Sequence, residues 1–221
     1  MGFDMKSVEI NFIGPFGWGA DKEIRSIYDE ATRPTTAKSG VYLWTVLTPD
    51  GDELVNYVGQ TRRSFARRFE EHQVLQSTGS YHVYDPDRYV HGQKKLLWGG
   101  VYGYDKEPSA DFESRFEELK PVATRFMEIL RFHIAPVSFE QACAMSEDEF
   151  RSRLEAGLAY HFYHQEGVVG EFQEADVEYL KESTLPTQRL HRLHWPPPDA
   201  TTRVICHAQC KIRGFPSEVI L

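Results

Sequence analysis

The chain is poor in several things that whole protein classes require. Only three of its 221 residues are cysteine, Cys143, Cys206 and Cys210, too few to staple a secreted fold of this size, so the sequence points to a reducing compartment. Its apolar runs are short and interrupted, which predicts no membrane span. The N-terminus lacks the basic start and apolar core of a signal peptide, and Ser7 stands one place too late for a myristoylation signal behind Gly2. A cytoplasmic location is the expectation. Net positive charge is missing too: the formal charge is −8, which argues against holding nucleic acid by overall electrostatics. A cleft and a bound cation set their own local field, however, so this does not exclude nucleic-acid chemistry. The glycine-punctuated stretch 14–19 lacks the Gly-Lys-Ser/Thr ending of a phosphate-binding P-loop.

What remains is a patterned α/β sequence, long enough for one domain with appendages. Val8-Glu9-Ile10-Asn11-Phe12 alternates as a strand does, and a short helix is predicted from about Asp21 to Glu30, before Pro34. Residues 40–47 and 54–59 are rich in β-branched and aromatic side chains. Between them Thr48-Pro49-Asp50-Gly51-Asp52-Glu53 orders its residues as a turn does, so the pair reads as a β-hairpin. A four-residue loop, Pro49 to Asp52, sets Thr48 opposite Glu53 and Trp44 opposite Tyr57. Tyr42 and Tyr57 then share a face as diagonal neighbours, roughly 7–8 Å apart at the backbone. Gly40 and Gly59, without side chains, allow another backbone or a substrate to approach.

A helix follows, capped by Ser64 and running to about Gln76. At about 100° per residue, Phe65, Arg68, Phe69 and His72 fall on one face and Arg67 points nearly opposite. An arginine within an apolar stripe needs an anionic partner. That partner is either Glu71 or Glu155 in a structural ion pair, or a phosphate, whose oxygens suit the guanidinium's donors. Residues 77–100 read as a long polar loop. Phe112, Phe116 and Leu119 repeat at helical spacing until Pro121, and 129–137 is either a strand or a helix end. Ser146-Glu147-Asp148-Glu149 is a capping box, opening a helix whose stripe is Phe150, Leu154, Leu158, His161 and Phe162, closing near Gly167. The rest reads as a lightly structured extension. His191, His194, Cys206, His207 and Cys210 invite a zinc reading, but the His-x2-His and Cys-x3-Cys spacings are not standard ones; a strand with buried thiols is the preferred expectation. Trp18 and Trp98 are expected to pack rather than stack on bases.

Taken together, Gly40-Val41-Tyr42, then Tyr57-Val58-Gly59, then Arg68 and His72 on a helix resemble the GIY-YIG nuclease family. The run from Tyr57 to His72, Tyr-Val-Gly-Gln-Thr-Arg-Arg-Ser-Phe-Ala-Arg-Arg-Phe-Glu-Glu-His, is similar to the family's second motif and its arginine helix. The resemblance is close over residues 40–72 and looser to the helix containing Glu155. It implies an α/β (α+β) fold with a small, mostly antiparallel sheet flanked by helices, in a nuclease core over 40–167 that carries an insertion between His72 and Glu155, with extensions at 1–39 and 168–221. It also implies a glutamate that holds a metal; Glu155 is the best match, with Glu113, Glu117 and Glu149 as competitors. The asparagine that commonly follows that glutamate has no counterpart, since only Asn11 and Asn56 occur; Gln165 or Gln173 would have to serve.

The function so implied is a metal-dependent endonuclease that hydrolyses DNA phosphodiester bonds, in restriction, phage defence, mobility or repair, with RNA left open as a substrate. Tyr42 would help deprotonate the attacking water, Tyr57 and His72 would position it and pass protons, and Arg68 would stabilise the phosphoryl charge. Mg²⁺ or Mn²⁺ on Glu155 would stabilise the leaving oxygen. The rival expectations are an inactive binding module with the same fold and a toxin-like nuclease held by a partner protein.

Overall fold

A strand grows from local alternation but is kept by its neighbours, and this shows at once in β1. The computed structural model, which describes residues 6–19, 24–100, 111–137, 146–164 and 202–220, extends this strand over Lys6–Gly17. The stretch read as a glycine loop therefore largely belongs to the strand. Its second half pairs antiparallel with β7 (Leu130–Pro136), and its first half pairs parallel with β8 (Thr202–Ala208). Nonlocal pairing of this kind satisfies backbone groups that local propensity ignores.

The hairpin forms from β3 (Gly40–Leu47) and β4 (Glu53–Thr61). The sheet runs β4-β3-β7-β1-β8-β9, with β9 (Glu218–Ile220) at the far end and the two-residue β2 (Arg25–Ser26) beside β1. It is a mixed sheet: β1 has parallel partners in β8 and β2, and the other pairings are antiparallel. The fold is thus α+β, and strands from residues 6–17, 202–208 and 218–220 belong to the same sheet as the hairpin. The C-terminal stretch read as lightly structured supplies two of them.

Three local expectations need correction. No helix follows Asp21 among the described residues; instead a single 3-10 turn at Glu30–Thr32 leads into the four-residue α1 (Arg33–Thr36), with Pro34 in its first turn, where a missing N–H costs nothing. Residues 77–100 are not a bare loop. They hold β5 (Val83–Tyr84), α3 (Pro86–Tyr89) and β6 (Leu96–Trp98), and bury Val83, Tyr89 and Trp98. The helix expected to stop at Pro121 passes through it: α4 spans Asp111–Ile129 and hands directly to β7. Phe116, Ala123 and Phe126 are all buried, and this packing outweighs the roughly 3 kcal/mol that an interior proline costs.

The remaining helices follow their caps. In α2 (Phe65–Ser77) the Ser64 side chain accepts from the Arg67 amide, and Phe65, Phe69, His72 and Gln76 form the buried stripe. In α5 (Glu147–His164) the Glu149 amide donates to Ser146 Oγ, and Phe150, Leu154, Leu158 and Phe162 are fully buried. Two cores result. Tyr42, Trp44, Phe69 and Phe132 belong to one, and Val41, Leu43, Ala135, Leu154 and Leu158 to the other. Alternation along β3 assigns these to opposite faces of the sheet. Among the described residues no helix is long and apolar enough to cross a membrane.

Candidate active site

The register of the hairpin decides whether the two tyrosines meet, and it is not a simple one. Leu47, not Thr48, faces Glu53, so the loop is five residues long rather than four. With that loop and a regular ladder, Tyr42 would face Val58 and Tyr57 would point to the other face. A bulge lies between the Thr45–Val55 and Trp44–Tyr57 pairs, adding Asn56 to β4. One extra residue turns every later side chain over. Trp44 therefore faces Tyr57 and Tyr42 faces Gly59, and the tyrosine rings lie 6.1 Å apart between centroids. The bulged residue is tethered, with Asn56 Nδ2 donating to Tyr89 Oη at 2.8 Å.

Both motif glycines are required by close approach. A Cβ on Gly59 would stand 2.4 Å from Tyr42 Cζ, so the tyrosine ring lies across this residue. Gly40, at φ +156°, would drive a Cβ to 2.1 Å from the Ala135 carbonyl oxygen.

The α2 stripe brings its polar members to the tyrosines. Tyr42 Oη is 2.9 Å from His72 Nε2, and Arg68 Nε donates to the same oxygen at 3.4 Å. Arg67 points away, with 70% of its side chain exposed against 28% for Arg68. Glu71 lies between them: it pairs with Arg63, with Arg67 at 3.7 Å and with Arg68 at 3.4 Å. Three guanidinium groups thus share one carboxylate at the mouth of the site. Tyr57 is half-buried there, whereas Tyr42 and His72 are sealed behind it at 0% and 3% exposure.

Electrostatics follow from this burial. The Tyr42 phenol is pushed well above its ordinary value by burial and by Tyr57, with Arg68 opposing and Glu155 adding to the rise. His72 is driven down to about 3 by burial and by Arg68, so it is neutral at physiological pH. Arg68 Nε already donates to the Tyr42 oxygen, so the phenol proton finds its acceptor in His72 Nε2 when the neutral ring carries its own proton on Nδ1. That buried Nδ1 has no hydrogen-bond partner among the described residues.

Glu155 reaches this neighbourhood from α5. It is 6% exposed, and its charge is felt at Tyr42. Gln60 Nε2 donates to Ser152 Oγ at 3.0 Å, fastening α5 to β4 beside Gly59. Of the competing carboxylates, Glu117 and Glu149 are exposed and pair with Lys120 and Arg153 on their own helices. The Glu113 side chain, Gln165 and Gln173 are outside the described residues.

Tyr81 is a neighbour that sequence reading missed. Its ring lies 5.7 Å from that of His72, and its phenol acts on Arg68. It comes from the 77–100 segment, where no periodicity marked it.

Trp18 and Trp98 are packing residues, each donating its indole N–H to a backbone carbonyl, of Phe69 and Gly79 respectively. The Cys/His group that invited a zinc reading does not assemble among the described residues, and Cys206 sits in a strand, β8, as preferred. Cys206 is buried in a core, while His207 is exposed and pairs with Glu9 at 3.0 Å; His191 and His194 lie outside the described residues. Cys210 instead meets His133 and Glu53 on the other face of the sheet. No family model, curated protein or solved structure matches the chain.

Proposed function

We propose that the protein is a metal-dependent endonuclease of the GIY-YIG type, acting on DNA phosphodiester bonds at the Tyr42–Tyr57–Arg68–His72–Glu155 constellation. The observation that carries this reading is Tyr42 Oη held between a neutral imidazole, at 2.9 Å, and a guanidinium, at 3.4 Å. A purely structural buried tyrosine needs one hydrogen-bond partner; this one has an acceptor for its proton and a cation for its oxygen.

Arg68 is the group a phosphate meets first, and it exchanges Glu71 for the incoming anion. The swap opens the way to Tyr42 and offsets the charge that helps depress His72. A water beside Tyr57 then passes a proton to Tyr42 Oη as Tyr42 passes its own to His72 Nε2, leaving a hydroxide for attack at phosphorus. Arg68 holds the negative charge that builds on the phosphoryl oxygens.

The residues present fit one hard divalent ion. Glu155 is a buried carboxylate whose charge is felt at Tyr42, and carboxylate oxygen is the donor that Mg²⁺ and Mn²⁺ prefer. Glu155 would hold the ion, with phosphate and water completing the shell, and the ion would supply Lewis-acid stabilisation of the leaving oxygen.

Glu155→Gln tests the reading. The glutamine keeps the shape but loses the charge that binds the cation. Nicking of supercoiled plasmid in Mg²⁺ is expected to fall by orders of magnitude, with the melting temperature preserved. Wild-type cutting by the variant at saturating metal, or a lower melting temperature with cutting intact, would make Glu155 a structural carboxylate.

A further inference from the structure

On the face of the sheet opposite the tyrosines, three metal-ligating side chains converge from distant parts of the chain. Glu53 opens β4, His133 sits in the middle of β7, and Cys210 lies in the turn after β8. One ligand atom from each lies within 4.8 Å of the others. His133 is fully buried, Glu53 is 3% exposed and Cys210 is half-buried. The turn is pinned to Glu53 by its backbone: the Glu53 amide donates to the Lys211 carbonyl at 3.2 Å, and the Arg213 amide donates to the Glu53 carbonyl at 2.9 Å.

We infer that Glu53, His133 and Cys210 form a binding site for one zinc-class divalent ion, which staples the C-terminal strands to the hairpin. A carboxylate, an imidazole and a thiolate form a mixed set that suits Zn²⁺ and not Mg²⁺. Tetrahedral zinc with ligand bonds of about 2.0–2.3 Å separates nitrogen from sulfur by about 3.6 Å and nitrogen from oxygen by about 3.3 Å. Cys210 Sγ is 3.6 and 3.7 Å from the two ring nitrogens of His133, and Glu53 Oε2 is 2.6 Å from His133 Nε2.

In the metal-free state a proton holds that short contact together. The ion replaces it, so the contact opens by about 0.7 Å. The sulfur, nearly equidistant from both nitrogens, lies against the ring and turns toward the ion on binding. The thiol proton leaves for solvent, and the Glu53–His133 contact proton passes to Nδ1 of the same ring, so that the ion meets a thiolate and a neutral imidazole. Glu53 keeps the rest of its shell: Thr45 Oγ1 donates to Oε2 at 2.6 Å, and Arg131 Nη1 lies 3.4 Å from Oε1. Thr45 is thus an outer partner that fixes the ligand oxygen. Without an ion the Cys210 thiol is pushed up to about 12 by burial and by Glu53, and so is not a free reactive thiolate.

The site is independent of the nuclease reading, and so is its test. The full chain, stripped with a chelator, is titrated with Zn²⁺ and with Co²⁺. One equivalent of Zn²⁺ is expected to bind and raise the melting temperature. The Co²⁺ form is expected to show a near-ultraviolet sulfur-to-cobalt charge-transfer band. Cys210→Ser should lose the band and bind Zn²⁺ at least tenfold more weakly, while Cys206→Ala keeps both. X-ray absorption of the wild-type zinc form should find one sulfur ligand, which also separates this site from an all-oxygen one at Glu155. Failure of the wild type to bind stoichiometric Zn²⁺, a zinc shell with no sulfur or with two or more, or a band that survives Cys210→Ser would each overturn the inference.

Discussion

His72 and His133 are both buried, and they lie on opposite faces of the same sheet. What differs is the company. His72 has a phenol and a cation beside it: Tyr42 at 2.9 Å, with burial and Arg68 lowering its proton affinity. His133 has a carboxylate at 2.6 Å, itself balanced by Arg131. Burial penalises the Glu53 carboxylate, yet His133, Thr45 and Arg131 together hold it below its ordinary value. The first face sets three guanidinium groups on one carboxylate near a half-open mouth, which the proposed reading makes a place for an anion. The second gathers oxygen, nitrogen and sulfur donors around Glu53, which the inferred zinc site makes a place for a cation. On these two readings one residue type, equally hidden, serves opposite electrostatic ends.

The comparison breaks first at Tyr42. Tyr42→Phe removes the oxygen that joins His72 to Arg68 and keeps the ring over Gly59. Plasmid cleavage is expected to fall by about 10²–10⁴-fold, while unfolding free energy drops by only about 1 kcal/mol in a denaturant titration. A variant that cuts normally but unfolds easily would make Tyr42 a core residue and nothing more.

On the other face the weights reverse. Glu53→Gln leaves His133 and Arg131 without their carboxylate, and loss of one partner of a buried pair costs about 3–5 kcal/mol. Urea unfolding should register this loss, with cleavage per folded molecule unchanged. Equal stability of the variant and the wild type would show that the Glu53 charge balances nothing.

Acid sharpens the contrast. His72 titrates at about 3 in the folded state against an ordinary 6.5, so between these values the unfolded chain binds the extra proton. The stability gained by keeping His72 neutral is complete above about pH 6.5. It is lost as pH falls from there toward 3, by on the order of a few kcal/mol. Glu53, depressed from 4.5, keeps its contribution until pH falls below the ordinary carboxylate range. His72→Gln should therefore flatten the upper part of the acid limb and leave the lower part. A limb unchanged by that substitution would mean that His72 is not the titrating group.

The two faces were also unequally legible in sequence. The tyrosine face rests on local patterns: a hairpin, a capped helix, and a stripe that puts Arg68 inward and Arg67 outward. Even there the pairing of Trp44 with Tyr57 was reached through two compensating differences. The loop is one residue longer than the turn signal implied, and the Asn56 bulge adds one residue back. Bulges are set by what the extra residue meets across the fold, here Tyr89, and no propensity records that. The other face was invisible because Glu53, His133 and Cys210 have no common spacing. They meet only because β8 runs parallel to β1 and β7 lies between β3 and β1. The same nonlocal packing carries α4 through Pro121.

The central claim, that the tyrosine face meets a phosphate through Arg68, is tested most directly by Arg68→Ala and Arg67→Ala assayed together on supercoiled plasmid in Mg²⁺. The two arginines are adjacent in sequence, equal in charge and equally able to pair with Glu71, but only Arg68 touches Tyr42. Wild-type cleavage is expected to fall by about 10²–10³-fold in Arg68→Ala. In Arg67→Ala it should change only a few-fold, with stability within about 0.5 kcal/mol. Equal losses in the two variants, or no Mg²⁺-dependent cleavage by the wild-type chain, would contradict the account.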